Sequence, residues 1–435
     1  MKTTENIHDV IIVGGGIVGA GIFRDLALHQ SNVLLLEKGD FASQTSQYSS
    51  KMLHGGIRYL ENFDFLLVME ALREKNLWLK LAPHLTRDVP FCMPIFRESK
   101  YPLVGLLAGL TLYDALSFFQ NKRFQILGKK KTIATVPIIR HDGLSGSGIY
   151  HDAIVDDAKI TLESIYDGLM EKSATAENYQ DVIKVTPRGE ILEVISKNEL
   201  TGEEKLHLTK DIIFATGPFT DHLLPRLGIP WSPQLLPSKG IHLWIDPKKL
   251  PLKNPVVLQT KDNRVVFIIP HQHAVLVGTT ETKIQGDFFK VKVDPSDISY
   301  LLEITHKFFP EANISESDIL SSYAGIRPLV RKKGSRSLSK TSRNHRIYHP
   351  SKNMHVIIGG KLTTFRTMGQ PLCKMILKKY GRPFDFSKTK VPFRQPSVIP
   401  PFENTPLTID KVRQIIKNEK VKTFDDLVKR RLGLL

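Results

Sequence analysis

Within its first forty residues the chain carries an apolar run, a cluster of glycines, a helical pattern and a second apolar run ending on an acid. No other feature restricts the fold so sharply. His8-Asp-Val-Ile-Ile-Val13 is short, apolar and closed by glycine, which predicts a buried parallel strand. Gly14, Gly16 and Gly19 then form a GxGxxG that opens helical periodicity at Ile17, Ala20, Gly21, Arg24, Ala27 and Leu28. A second run, Val33 to Leu36, ends at Glu37. This order predicts a dinucleotide-binding βαβ unit. Gly14 permits the tight turn, Gly16 admits a pyrophosphate close to the backbone, and Gly19 allows close helix–strand packing. The helix N-terminus supplies N–H groups and partial positive charge, and Glu37 is expected to hydrogen-bond an adenosine ribose, which disfavours NADP. The motif alone does not separate NAD from FAD.

At 435 residues the chain has room for two or three domains with a large core. Its 41% hydrophobic and 24% charged residues exclude collagen-like, coiled-coil and mostly disordered classes. A formal net charge of +17 predicts anionic partners: a phosphorylated substrate, anionic lipid or nucleic acid. Cys92 and Cys373 are the only cysteines and have no zinc spacing, so a disulfide framework and a cysteine metal site are excluded and a reducing compartment fits. The polar N-terminus and the glycine-rich run behind it do not read as a secretory signal. Tyr101 to Phe119 carries one charge, Asp114, and approaches the length of a membrane span. Pro102, Gly105, Gly109 and the spacing of Leu106, Leu110, Tyr113 and Leu116 favour a buried or interfacial helix instead.

After Glu37, where an NAD enzyme would continue into another βα unit, a polar stretch runs from Thr45 to Leu60, followed by an amphipathic helix over 65–81. Asp156 is placed to cap a helix with apolar positions 158, 162, 165 and 169. Ile212 to Gly217 reads as a strand ending in a glycine turn. Two β-rich runs, Arg264 to Ile269 and Ala274 to Gly278, are joined as a hairpin by Pro270-His-Gln-His273. His271 and His273 lack a third partner, so no metal is expected. Val356 to Gly360 is another strand–glycine turn, leading to a helix that stops at Lys378-Lys-Tyr-Gly381-Arg-Pro383.

At these segments the chain resembles the flavin-dependent glycerol-3-phosphate dehydrogenases, within the D-amino-acid-oxidase-like flavoprotein superfamily. The matching pieces are GGGIVGAGIFRDLA, SSKMLHGGIRYLENFDFLLVMEAL, VDDAKI, ATGPF, SKGIHLWI, RVVFIIP, VGTTE, YAGIRPLV and GGKLTTFR, in the family's order from about residue 8 to 380. The resemblance implies an α/β fold: a Rossmann-like FAD-binding domain interleaved with an antiparallel-sheet substrate domain, and a short C-terminal helical remnant. The implied FAD-binding parts are 1–98, 151–235 and 346–390, the substrate-domain parts 99–150 and 236–345, and the helical segment 391–435. Relatives usually carry a further C-terminal helical domain, of which KTFDDLVKRRLGLL resembles one piece.

The resemblance also implies non-covalent FAD, oxidation of glycerol 3-phosphate to dihydroxyacetone phosphate by hydride transfer to flavin N5, and electrons passed to a membrane quinone. Implied cofactor contacts are Gly14, Gly16, Gly19, Glu37, Lys38, Thr45, Ser46, Ser50, Lys51, His54, Gly55, Ala215, Thr216, Gly217, Gly360, Lys361, Leu362 and Thr363. Thr363 or Thr364 is the expected N-cap of the helix behind the last glycine pair. The open N–H groups there suit the negative charge a reduced flavin carries. A near-dianionic phosphate calls for guanidinium forks, and Arg58 and Arg343 are the implied phosphate ligands. Tyr59 shapes the pocket and Arg327 faces the substrate oxygen. His242 is the first candidate for general base and Lys361 the second.

An oxidase delivering electrons to O₂, a flavin enzyme for another small anionic molecule and a non-enzymatic flavin-fold protein remain open beside this reading. Seven positive charges between Arg331 and Arg346 and five between Asn121 and Lys131 fit a solvated face or attraction to anionic lipid. Nucleic acid is not expected, since the runs lack interleaved aromatics. The oligomeric state is left open. The expected location is cytoplasmic, peripheral on the inner face of the cytoplasmic membrane.

Overall fold

The computed structural model describes residues 3–260, 264–284, 288, 291–331, 345–403 and 405–434. A first sheet runs in the order Arg346–Ser351, Met354–Ile358, Glu204–Phe214, Thr3–Val13, Val33–Glu37, Ala174–Asn178. From Met354–Ile358 onward its neighbours are parallel, with Ile12 facing Ile213 on one side and Leu35 on the other. The strands read as unbroken apolar runs because both faces are covered. Val10, Ile12, Val33 and Leu35 pack under Ile22, Phe23 and Leu26 of the helix Ile17–Leu28, Leu162 and Ile165 of the helix Asp157–Gly168, and Met368 and Leu372 of the helix Phe365–Lys379. The alternate residues Ile11, Val13, Leu34 and Leu36 meet Val182, Val185, Leu192 and Val194 of the hairpin Gln180–Arg188 and Ile191–Asn198.

A second sheet, almost wholly antiparallel, contains Met52–Leu53, Leu144–Val155, Thr86–Phe96, Val256–Gln259, Val265–Pro270, Val275–Gly278, Ser238–Ile245 and Ile319–Arg327. Period-two alternation sorts its side chains. Ile241, Leu243, Ile245, Val275 and Val277 join the core beneath the helix Pro295–Phe308, through Leu301, Leu302 and Phe308. The intervening Gly240 and His242 face the space between the sheets, opposite Gly325, Tyr323 and Gly278.

Most local expectations hold. The helix Phe65–Leu81 has the expected bounds, and Asp156 accepts from Lys159 N at 2.9 Å to cap Asp157–Gly168. The helix Phe365–Lys379 ends before Gly381 in a left-handed conformation. Tyr101 to Phe119 forms the helix Leu103–Leu116, and no helix among the described residues is long and apolar enough to cross a membrane.

One expectation needs correction and one is met in position only. The boundary at residue 98 lies too late, because Met52–Leu53 and Thr86–Phe96 already hydrogen-bond into the second sheet through Leu144–Val155. Their pairing partner lies far onward in the chain, Ile154 for Met52 and Val155 for Thr86, so no local pattern marked the crossing. Thr364 does begin the helix Phe365–Lys379, but neither threonine caps it with its side chain. Thr363 Oγ1 is engaged elsewhere, accepting from His54 N at 3.1 Å and donating to His54 O at 3.3 Å.

Candidate active site

The glycine turn and the inner face of the second sheet bound a cavity of ≈ 710 Å³. The loops of the first sheet line it with Gly14, Gly16, Glu37, Lys38, Gly39 and Lys361, and the second sheet lines it with Gly240, His242, Gly325 and Arg327. The turn is built for close approach. Gly14 has φ +111°, and a Cβ there would stand 2.6 Å from Ala215 O. A Cβ on Gly19 would stand 1.9 Å from Gly14 O, so this glycine packs helix on strand, as its spacing predicts, and does not line the cavity. Gly16 starts the helix Ile17–Leu28 from extended backbone with no side-chain cap, leaving the N-terminal end turned to the cavity. Ile17 N donates to Ser46 Oγ at 2.9 Å.

Glu37 does two jobs at once. Its carboxylate accepts from Gly15 N at 2.6 Å and Gly39 N at 2.8 Å, bracing the turn while lining the cavity. Burial raises its pKa, against the opposing pull of those two amides. Lys38, Thr45, Ser46, Ser50, His54, Ala215, Thr216, Gly217, Gly360, Leu362 and Thr363 also line this space. Lys51 and Gly55, expected beside the cofactor, do not. Lys51 Nζ turns to Asp157 Oδ1 at 2.5 Å, which also receives Ser49 Oγ on its other oxygen at 2.6 Å. Gly55 is a packing position, where a Cβ would stand 2.6 Å from Leu72 and from the Tyr113 hydroxyl.

The residues present fit an extended dinucleotide. Glycine occupies the points where a Cβ would fill the cradle, a helix N-terminus faces it, and a half-buried carboxylate stands at the end of the second strand.

Arg327 lies where this cavity meets a smaller chamber of ≈ 350 Å³, which it lines together with Arg58, Tyr59, His54 and Ser50. Its guanidinium is held by Thr279 Oγ1 at 2.7 Å and Thr280 O at 3.1 Å. A Cβ at Gly240 would stand 2.3 Å from that guanidinium, and one at Gly278 2.2 Å from the His242 ring. Gly240, inside the strand Ser238–Ile245, and Gly278, at the end of Val275–Gly278, therefore make room for Arg327 and His242. Glycine inside an otherwise β-rich run was the available signal for them.

His242 is stacked on Tyr323, with ring centroids 4.9 Å apart, and its Nε2 lies 2.9 Å from Ser50 Oγ. Its Nδ1 is buried with no hydrogen-bond partner among the described residues. Burial, then Arg327, then Lys51 hold its pKa well below the ordinary histidine value, so the ring is neutral at pH 7. Lys361 Nζ stands 3.6 Å from the centroid of the Tyr59 ring. Gly56, at φ +79°, allows this placement, since a Cβ there would meet that ring at 2.2 Å. Arg343 lies outside the described residues. Tyr48, Tyr179, Gln180, Phe219 and Arg226 line the large cavity without having been singled out from sequence; they lie in loops, at a strand start and in short helices, with no local pattern to mark them.

Comparison with known proteins bears on the same span. The model of the FAD dependent oxidoreductase family matches residues 9–365. The aerobic glycerol-3-phosphate dehydrogenase of Bacillus subtilis (strain 168) is 34% identical over 393 residues, 89% of this chain and 70% of that protein. The structure of the glycerol-3-phosphate dehydrogenase from Bacillus halodurans complexed with FAD superimposes with a TM-score of 0.72 at 27% identity, covering 88% of this chain and 67% of that one. The L-alpha-glycerophosphate oxidase from Mycoplasma pneumoniae with FAD bound shares the fold, at a TM-score of 0.65 and 17% identity over 85% of this chain and 95% of that one.

Proposed function

The chain belongs to the FAD dependent oxidoreductase family, and from that premise we propose that it oxidises glycerol 3-phosphate to dihydroxyacetone phosphate and passes the electrons to a membrane quinone. One observation carries the reading: Arg327 stands at the junction of the dinucleotide cavity and a chamber that holds a second guanidinium, Arg58. When bound, FAD supplies the two-electron acceptor for the hydride that leaves the carbinol carbon.

The residues of the chain do the rest. Arg58 binds the phosphate, Arg327 faces the hydroxyl that becomes the carbonyl oxygen, and the threonines behind Arg327 keep its fork from turning away. His242 is the base for the hydroxyl proton. For Nδ1 to take that proton, Nε2–H must donate to Ser50 Oγ. Burial first, and then the Arg327 guanidinium, keep the ring unprotonated and so able to accept. Lys361, over Tyr59 on the other wall, is the alternative base.

The acceptor reading rests on the outer wall. Met93, Ile95, Leu106 and Phe267 also line the smaller chamber and give it apolar surface beside the two guanidiniums. Val104 and Phe119 on the helix Leu103–Leu116 and just beyond it are 75% and 74% exposed, and Arg73 lies over Phe118. An apolar face with basic residues at its edge suits peripheral contact with an anionic bilayer.

Anaerobic mixing with glycerol 3-phosphate should bleach the flavin absorbance within the dead time of a turnover, and a quinone should restore it. No bleaching overturns the substrate. Rapid recovery with O₂ and stoichiometric peroxide, but none with quinone, assigns the oxidase reading instead.

A further inference from the structure

Residues 408–433 pack against the edge of the first sheet through charges that a globular protein seldom buries. Arg430 and Arg431 are 5% and 1% exposed, and both converge on Asp40. Arg430 Nε donates to Asp40 Oδ2 at 2.5 Å and Arg431 Nη2 to Oδ1 at 2.9 Å, while Arg431 Nη1 also reaches Oδ2. Arg431 Nη2 donates further to Glu419 O at 2.8 Å, and Arg430 Nη2 to Asp426 Oδ1 at 2.8 Å. Guanidiniums taken out of water are costly unless their forks are met, and a hydrophobic pair in their place is often as stable. Such an arrangement is best explained by what it positions.

Asp40 lies early in the long loop that follows the strand Val33–Glu37 and runs to Met52–Leu53. It also accepts from Asn178 Nδ2 at 2.9 Å, and that same amide nitrogen lies 2.9 Å from Lys420 O. The next residue, Tyr179, donates from N to Gly39 O at 2.8 Å and from its hydroxyl to Asp426 Oδ1 at 2.6 Å. Glu37, Lys38, Gly39 and Tyr179 line the cavity at the end where the acid after the second strand marks the ribose side. The C-terminal segment thus grips both loops that wall this end, one through Asp40 and one through Asn178 and Tyr179.

We propose that this segment is a clamp on the adenosine end of the cofactor site, in which Arg430, Arg431 and Asp426 are positioning residues acting through Asp40 and Tyr179. The inference rests on the FAD of the family and is independent of the substrate.

The test compares FAD with FMN, which lacks the adenosine half. Release of FAD from the holoenzyme is followed by flavin fluorescence, and the affinities of the deflavinated full chain for FAD and FMN are titrated. Arg431→Met should speed FAD release at least tenfold and lower the FAD-to-FMN affinity ratio to match, with FMN affinity within twofold of the parent; Arg431→Lys should restore part of the ratio. Should Arg431→Met fail to fold, Tyr179→Phe decides, because it leaves the arginines paired with Asp40 and Asp426 and removes only the hydroxyl's bonds to Asp426 and Thr423, both in the C-terminal segment. It should lower the same ratio two- to fivefold. An unchanged ratio in Tyr179→Phe, or equal losses for FAD and FMN in Arg431→Met, would overturn the clamp.

Discussion

The dinucleotide cradle and the cationic cup face each other across one cavity, yet they are constructed on opposite principles. The cradle works by omission. Gly14, Gly16 and Gly19 leave backbone where side chains would stand, and its polar bonds are local: Gly15 N to Glu37 and Ile17 N to Ser46 span 22 and 29 residues. The cup works by convergence. Ser50 meets His242 across 192 residues, Thr45 Oγ1 meets Ile326 O across 281, and His54 N meets Thr363 across 309. One segment suffices to build a phosphate-binding turn, because its chemistry lies in N–H groups and a helix end. Binding a substrate phosphate and moving a proton needs side chains of different kinds at one point, which only separate strands can supply.

The largest effect should come from breaking the cup without touching the cradle. Arg327→Ala, and likewise Arg58→Ala, should lower kcat/KM for glycerol 3-phosphate by about 10²–10³-fold, with FAD content by absorbance unchanged. Near-normal kcat/KM in either variant would remove these residues from the site.

The converse break is Gly19→Ala, whose Cβ would sit 1.9 Å from Gly14 O. Overpacking of about 1–3 kcal/mol falls on the turn itself, so FAD should be held roughly 10–100-fold less tightly while circular dichroism stays folded. Full flavin occupancy after dialysis would show that the turn relaxes without loss.

A milder change sharpens the contrast from inside the second sheet. Gly240→Ala puts a Cβ 2.3 Å from the Arg327 guanidinium, the far end of a side chain that can move. It should cost about tenfold in kcat/KM through misplacement and leave FAD affinity alone. A fall in FAD affinity of the same size would mean that cup and cradle are not separable.

The smallest effect tests stability away from both. Burial pushes His207 down to about 4, and its Nε2 pairs with Ser196 Oγ at 2.9 Å. The folded ring stays neutral while the unfolded one takes a proton below about 6.5, so this contribution is present above that pH and is lost as pH falls toward 4. At pH 5 the loss is about 2 kcal/mol. His207→Gln should therefore reduce the drop in Tm between pH 7 and 5 by about 2–4 °C, measured by scanning calorimetry. An unaltered drop would move the acid sensitivity to His271, also pushed down to about 4 by burial.

Sequence patterns were most informative where the physics is local. The helix Phe65–Leu81 follows from its periodicity, the cap at Asp156 from a short side chain three residues before its donor, and the stop at Gly381 from a left-handed backbone. Thr364 takes the N-cap position as its spacing predicts, but makes no side-chain capping bond, and Thr363 is bonded instead to the distant His54. The same reasoning failed for Lys51 because a buried carboxylate, Asp157, drew the ammonium away from the cavity. The boundary at 98 missed the second sheet because strand pairing, unlike helix formation, is settled by a partner elsewhere in the chain.

The amino-acid order by itself determined the βαβ cradle, the family motifs and the identity of the charged residues, since turns, caps and glycine spacing act over a few peptide units. Only the folded chain decided that Arg58 and Arg327 share a chamber, that His242 is buried and neutral beside Ser50, and that Arg430 and Arg431 hold Asp40. Each of these depends on which distant groups remove water from a charge and which answer it with a hydrogen bond, and that is a property of the assembled sheets.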